Sequence, residues 1–354
     1  MKFGLIGAGA IGAIRAAALA RSKSCSLVAV HDLDEARARS VAPSAKFHSS
    51  LESMLESPDV EAVLISTPPQ LHEELAVAAA KAGKHALVEK PMAATPDACE
   101  RMIKAANAAG TLLTVGYNQR YFPALKVVRD AVMSGDIGRL SHVRAYAGHG
   151  GLAEFKAPWM YDQAVMGGGA LMDNGTHIVD LVRYVMGDPT EVYGQALHRV
   201  WDLDVEDEAM ALLRNDDGVA ASIEASWDEW KGYRFHIEAY GDRGMAKAYY
   251  APMFATVIRI DRPGGPKKVD RRFYPESIVR EKFRGWQSTV INAFIEEFDD
   301  FAAAAAGQKG SGRLALAADG MRAVQIAHAV YDSSRSGSRV TLAPLPAAPT
   351  SESV

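Results

Sequence analysis

Cysteine is nearly absent from this 354-residue chain, which carries only Cys25 and Cys99, far apart in sequence. That scarcity excludes a disulfide framework and leaves no paired spacing for a structural metal, so no metal site is expected. No uninterrupted apolar run approaches the roughly 20 residues of a membrane-crossing helix, so no membrane partner is expected. Basic charge is not in excess either: 39 Lys and Arg face 43 Asp and Glu, a formal net charge of −4. A nucleic-acid partner would leave a basic footprint, and there is none. Met1 leads almost at once into an apolar strand pattern, without the basic and apolar segments of a secretory signal. A cytoplasmic location is the expectation. What remains, 48% apolar and 23% charged residues, is the balance of an ordinary globular protein. The length suits about two domains.

From Lys2 to about Asn118, short apolar runs alternate with alanine-rich helical stretches. Strands are predicted at Phe3–Gly7, Leu27–Val30, Ala62–Ser66, Ala86–Val88 and Leu112–Val115. Helices are predicted at Ile11–Ala20, Asp34–Val41, Leu71–Ala82 and Thr95–Ala109. Strands that are apolar throughout suit a parallel sheet covered on both faces, and the alternation indicates βαβ units. Residues 1–120 are therefore read as a doubly wound α/β domain.

Residues 121–343 read differently, as an α+β domain. Helices are predicted at Pro123–Met133 and from the glycine run at Gly167–Gly169 to about Met186. Strands follow at Glu191–Arg199, Glu208–Arg214, Val219–Ser226, Phe235–Tyr240, Met245–Tyr249 and Thr256–Ile260. Asn215-Asp216-Asp217-Gly218 and Gly241-Asp242-Arg243-Gly244 have hairpin-turn chemistry, so the sheet is expected to be mostly antiparallel and open. Two last helices are predicted at Trp286–Ala306 and Leu314–Asp332, and the Pro-, Ser- and Thr-containing tail 344–354 is expected to fray.

Gly7-Ala8-Gly9-Ala10-Ile11-Gly12 is a G-x-G-x-x-G fingerprint placed between a strand and a helix, with Asp32 closing the next strand. Such a context marks a Rossmann dinucleotide site. Gly7 permits the tight turn, Gly9 lets the backbone approach the pyrophosphate, and Gly12 allows close helix–strand packing. The N–H groups of Ala10 and Ile11 open the helix toward the phosphates. Asp32 would accept hydrogen bonds from the ribose hydroxyls and repel a 2′-phosphate. NAD is therefore favoured over NADP, with Arg37 and Arg39 the nearby residues that weaken the preference.

Further segments complete a pattern. Ser66-Thr67-Pro68-Pro69-Gln70-Leu71-His72, Glu89-Lys90-Pro91 and Gly167-Gly168-Gly169-Ala170-Leu171-Met172-Asp173-Asn174-Gly175-Thr176-His177 follow the fingerprint in order. With the late helix from Asp319 to Tyr331, the chain resembles the glucose–fructose oxidoreductase and inositol dehydrogenase (Gfo/Idh/MocA) family over nearly its whole length. The resemblance implies a Rossmann domain, a second domain whose open sheet mediates homodimers or homotetramers, and a sugar or polyol substrate. It implies that Thr67, Pro68, His72, Glu89, Lys90, Asn118 and Arg120 line the cofactor. It further implies that Lys90, Arg120, Trp159, Asp173, Asn174 and His177 meet the substrate.

Within that set the chemistry is assignable by residue type. Hydride transfer from a carbinol carbon requires the hydroxyl to lose its proton, and the cofactor carries the hydride. Histidine titrates near neutrality, so His177 is the expected proton acceptor. Asp173, four residues before it on a helix, is expected to orient it or bind a neighbouring hydroxyl. Lys90 would stabilise the developing alkoxide or relay the proton. The expected catalytic residues are thus Lys90, Asp173 and His177. Asp180, His142, His149, His198 and His236 are expected to be structural. Trp201, Trp227 and Trp230 are expected to pack in a core or interface, with stacking on a sugar face as the other possibility. Two rival functions share the scaffold: an NAD-dependent glycosidase using transient sugar oxidation, and a catalytically silent nucleotide-binding regulator.

Overall fold

The structure, a computed structural model, describes residues 1–154 and 157–345. Of the predicted tail 344–354, residues 346–354 lie outside the described residues.

The first sheet consists of β1 (Lys2–Ile6), β2 (Ser26–His31), β3 (Lys46–Phe47), β4 (Ala62–Ile65), β5 (His85–Val88) and β6 (Leu113–Val115). Helices α1 (Ala10–Leu19), α2 (Glu35–Val41), α3 (Leu51–Leu55), α4 (His72–Lys81) and α5 (Pro96–Ala109) connect them. All its ladders are parallel, in the order β3-β2-β1-β4-β5-β6. All four residues of β4 are buried, because helices cover both faces of a doubly wound sheet. Thr95 caps α5 by accepting from the Ala98 N–H, Pro96 opens the helix, and Gly110 closes it at φ 64°.

The second sheet begins after α6 (Pro123–Met133) with β7 (Leu140–Gly148). Two helices follow, α7 (Gln163–Met166) and α8 (Thr176–Met186). Then come β8 (Glu191–Leu197), β9 (Glu208–Arg214), β10 (Ala220–Ser226), β11 (Arg234–Gly241), β12 (Gly244–Tyr250), β13 (Phe254–Ile260) and β14 (Lys267–Phe273). Helices α9 (Pro275–Arg284), α10 (Gln287–Ala305) and α11 (Ala317–Ser336) and the short β15 (Val340–Thr341) finish the fold. Among the described residues this sheet has the order β14-β13-β12-β11-β7-β10-β9-β8-β15. Every ladder is antiparallel except β7–β10. In β11, Phe235, Ile237 and Ala239 point into the core, and the alternate residues point away from it.

Several elements were not predicted. β7, at the middle of the second sheet, alternates buried Val143, Ala145 and Ala147 with polar residues, but Ala and Gly dilute its strand signal. The edge strand β14 is too highly charged to read as a strand, a composition that suits an edge. β8 stops at Leu197 instead of Arg199, because the Asp207 carboxylate takes the N–H groups of Arg199, Val200 and Trp201. The helix predicted from the glycine run starts with a wide turn at Leu171–Gly175 before α8. α11 starts at Ala317, since Leu316 is still bridged to Thr114 in extended form.

The division near residue 120 separates the two sheets but not the two cores. α10 packs on α1, and α11 packs on α5 and β6. The Phe3 ring meets Phe298 and Phe301 with centroids 5.4 and 5.3 Å apart. The C-terminal helices thus complete the core of the first unit.

Candidate active site

Every predicted cofactor residue of the first unit lies at the carboxyl edge of the parallel sheet, where open α/β sheets bind ligands. Gly7 follows β1 at φ +90°, and a Cβ there would stand 2.7 Å from the Ser66 carbonyl oxygen. A Cβ on Gly12 would stand 2.1 Å from the Gly7 carbonyl oxygen, so α1 runs directly beneath the turn. A Cβ on Gly9, by contrast, would meet nothing within 4 Å. Gly9 caps α1 without a side-chain acceptor, which leaves the opening N–H groups of the helix for an anion. The buried hydroxyls of Ser66 and Thr67 have no partner in the described structure. This open, donor-rich cradle fits a dinucleotide pyrophosphate.

Asp32 closes the cradle. Its carboxylate accepts from the Ala8 N–H at 2.7 Å and the Asp34 N–H at 2.8 Å, and pairs with the Arg37 guanidinium at 2.5 Å. Burial pushes its carboxyl up, but Arg37 and the two N–H donors outweigh that and hold it below the usual range. Asp32 is thus an ionised acceptor where a ribose would lie. Arg37 is already engaged by it.

Two strands along the same sheet edge, Lys90 follows β5. Its ammonium donates to the Asp173 carboxylate and to the Asp173 carbonyl oxygen, each at 3.1 Å. Asp173 lies in the wide turn before α8, and its second carboxylate oxygen accepts from His149 Nε2 at 2.9 Å and Trp227 Nε1 at 3.2 Å. The Gly151 N–H donates to His149 Nδ1 at 3.0 Å, so the His149 proton sits on Nε2 and is given to Asp173. Burial works against the Asp173 charge, yet Lys90 and His149 hold the carboxyl far below its ordinary range. Asp173 is therefore an anion saturated with donors, not a free base.

The contacts also change the expected partner of Asp173. Among the described residues no hydrogen bond joins it to His177; the imidazole it engages is His149. His177 is partly exposed, and the Tyr117 ring meets it edge-on at 5.8 Å. Its Nδ1 has no partner among the described residues. Burial, followed by the nearby Lys90 charge, holds its pKa well below the ordinary histidine value, despite the opposing pull of Asp173. The ring is neutral at pH 7.

Other expected site residues are engaged elsewhere. Arg120 is 4% exposed, and its guanidinium grips Asp180 at 2.5 and 2.7 Å and reaches Asp319 at 3.4 Å. It ties α8 to the start of α11. Asp180, expected to be structural, is the buried partner in this pair. Glu89 receives the buried Arg15 guanidinium at 2.5 Å, and Arg15 also pairs with Glu297. His72 is wholly buried, with its ring nitrogens toward the carbonyls of Thr67, Pro91 and Met92, so it braces the Thr67-Pro68 turn against the Lys90-Pro91 turn. Asn174 donates to the carbonyls of Ala147 and Ser226. Asn118 is buried directly after β6, and Trp159 is 39% exposed beside Tyr161, which packs on Trp227.

Sequence reasoning missed His149 and Trp227. The available signal was the alternation of β7, which ends one residue before His149. No described cluster of three or more His, Cys, Asp or Glu is placed to hold a metal, and no described helix is long and apolar enough to cross a membrane.

Residues 1–117 match the oxidoreductase family with an NAD-binding Rossmann fold, and residues 125–247 match the GFO/IDH/MocA C-terminal domain. The chain belongs to the Gfo/Idh/MocA family. A myo-inositol 2-dehydrogenase of Thermotoga maritima is 31% identical over 275 residues, 75% of this chain and 79% of the relative. An inositol 2-dehydrogenase of Saccharopolyspora erythraea is 29% identical over 360 residues, 98% of this chain and 97% of the relative. A levoglucosan dehydrogenase solved with NADH and L-sorbose superposes at a TM-score of 0.84 with 25% identity, covering 98% of this chain and 99% of that one. This Gfo/Idh/MocA protein is accordingly an NAD-binding oxidoreductase of the dehydrogenase and reductase type.

Proposed function

We propose that this Gfo/Idh/MocA protein interconverts a secondary alcohol and a ketone on a sugar, an inositol or a related polyol, with Lys90, Asp173 and His177 at the reacting carbon. The observation that carries this reading is the donor-saturated Asp173. It fixes the Lys90 ammonium beside a neutral, partly exposed His177, at the sheet edge that carries the dinucleotide cradle. NAD, held by Gly7, Gly9, Gly12, Asp32 and the Thr67-Pro68 turn, supplies the hydride acceptor or donor.

The chain's own residues then divide the remaining work. His177 takes the hydroxyl proton onto a ring nitrogen during oxidation. Its depressed pKa makes it a weak base, and the Lys90 charge favours the transfer by lowering the pKa of the hydroxyl. In reduction the ring, protonated first from solvent, gives the proton back to the substrate oxygen. Lys90 stabilises negative charge on the substrate oxygen, and Asp173 keeps its ammonium in position. The intact Lys90–Asp173 pair speaks against a catalytically silent regulator. The relatives' names point to polyols and sugars, which offer adjacent hydroxyls to this row of polar groups.

The test is an NADH-absorbance screen with NAD against inositols and aldoses, run with wild type, Lys90→Met and His177→Ala. Turnover in wild type, falling about 10²–10⁴-fold in each variant with NAD binding retained, is the expected result. Survival of turnover in either variant sinks that residue's assignment. We also propose a homodimer or homotetramer through the outer face of the second sheet, where Tyr193, Met210 and Leu212 are 44%, 43% and 60% exposed. Light scattering of Leu212→Glu should show a lower mass than wild type.

A further inference from the structure

A continuous row of indoles leads away from the reacting centre, and the reaction does not use its far end. Trp227 donates to Asp173, and its own carbonyl oxygen accepts from Trp201 Nε1 at 3.0 Å. Trp201 in turn meets Trp230, with ring centroids 5.8 Å apart. Trp227 is wholly buried, whereas Trp230 is 66% exposed. The row thus runs from the Asp173 contact out to the protein surface.

Both supports of this row are tied down by hydrogen bonds and close packing. The Asp207 carboxylate, 1% exposed, accepts from the N–H groups of Arg199, Val200 and Trp201 at 3.2, 2.7 and 2.9 Å, or at 3.0 Å through its second oxygen for Arg199. An acidic side chain is buried here to hold the loop that carries Trp201. Trp230 sits between β10 and β11, in a loop bracketed by Trp227 and Tyr233. Those two rings lie 6.2 and 6.5 Å from His149, and the Glu229 N–H bonds the His149 carbonyl oxygen at 3.2 Å. Gly151 is pressed against Trp201: a Cβ there would stand 2.7 Å from Nε1. The indole pair is therefore anchored to the backbone that positions Asp173, one residue layer outside the reacting centre.

We infer that Trp201 and Trp230 form a stacking subsite for a second ring of the substrate, so that the protein acts on glycosides or other ring-extended sugars in preference to single-ring polyols. This rests on the sugar or polyol reading above and adds its size class. A sugar presents an apolar C–H face, and an aryl aglycone a π face. Either stacks on the exposed Trp230 indole, which packs on a Trp201 held by its hydrogen bond to the Trp227 carbonyl, so part of the ordering entropy is already spent before binding.

The test measures dissociation constants of phenyl β-glucoside and methyl β-glucoside with the NADH-loaded protein, which cannot oxidise them, by calorimetry, in wild type, Trp230→Ala and Trp230→Phe. Wild type should prefer the phenyl glycoside, and Trp230→Ala should weaken its binding about five- to tenfold while moving the methyl glycoside less than about twofold. Trp230→Phe should recover most of the loss. Equal weakening of both ligands, no preference in wild type, or no binding of either overturns the subsite. So does a Trp230→Ala variant whose only change is oligomer mass, which would make the indole a subunit contact. Because binding is read without turnover, failure of hydride transfer in the earlier screen is a separate result.

Discussion

Gly9 and Gly12 occupy one fingerprint, yet the structure assigns them opposite costs. In Gly12→Ala the new methyl carbon would stand 2.1 Å from the Gly7 carbonyl oxygen, roughly 1 Å inside ordinary contact, and that neighbour is backbone. Overpacking of this kind costs about 1–3 kcal/mol. At ~2.1 cal/mol/K per residue of unfolding entropy, 354 residues give about 0.7 kcal/mol/K, so the NAD-free protein should melt about 1.5–4 °C lower. In Gly9→Ala the methyl enters open space on a backbone at φ −69° and ψ −167°, which alanine adopts freely. Only the preference for glycine over alanine at a helix N-cap is lost, so melting should shift by about 1 °C or less. NAD affinity should nonetheless fall at least about tenfold, because the methyl stands where the pyrophosphate meets the backbone. Scanning calorimetry without NAD and NAD titration by tryptophan fluorescence give the two readouts. Wild-type NAD affinity in Gly9→Ala, or equal loss of melting temperature in the two variants, would refute the account.

Other consequences concern charge. Asp32→Ser frees the Arg37 guanidinium now held at 2.5 Å, so NADP affinity should rise and NAD affinity fall; continued exclusion of NADP in titrations would show that Asp32 is not the discriminator. His149→Phe removes the 2.9 Å donor to Asp173 and should lower kcat about tenfold with NAD affinity unchanged, whereas an unchanged kcat would remove His149 from the positioning network. The buried Arg15 lies between Glu89 and Glu297, and burial outweighs Arg15 and pushes the Glu297 carboxyl up to about 7. The folded state then holds a proton that the unfolded state releases near pH 4.5. That stabilising contribution is full below about pH 4.5 and fades as pH rises toward 7, an effect of up to about 3 kcal/mol. Glu297→Gln should flatten this part of the denaturation-versus-pH curve, and an unchanged slope between pH 5 and 7 would place the ionisation elsewhere.

The nucleotide cradle was legible because its determinants are nearly contiguous. Gly7, Gly9 and Gly12 act within one turn, and Asp32 closes the adjacent strand, with Ile6 in register with His31. Most helices were legible for the same local reason. β7 and β14 were not, since one owes its place to neighbours on both sides and the other to being an edge. Arg120 and Glu89 looked like site residues by position along the chain. Their partners, Asp180 and Arg15, come from other segments and direct them into the core.

The amino-acid order by itself determined a parallel dinucleotide-binding sheet, an ionised Asp32, and Lys90 at the end of β5. Only the tertiary structure decided what Asp173 touches. The parallel register of β7 and β10 sets Gly148 against Ser226, which brings the next residues, His149 and Trp227, side by side onto one carboxylate. Helical spacing had offered His177 as the partner of Asp173. The strand pairing supplied His149 instead, because hydrogen bonds to a buried anion follow distance in space and not separation along the chain.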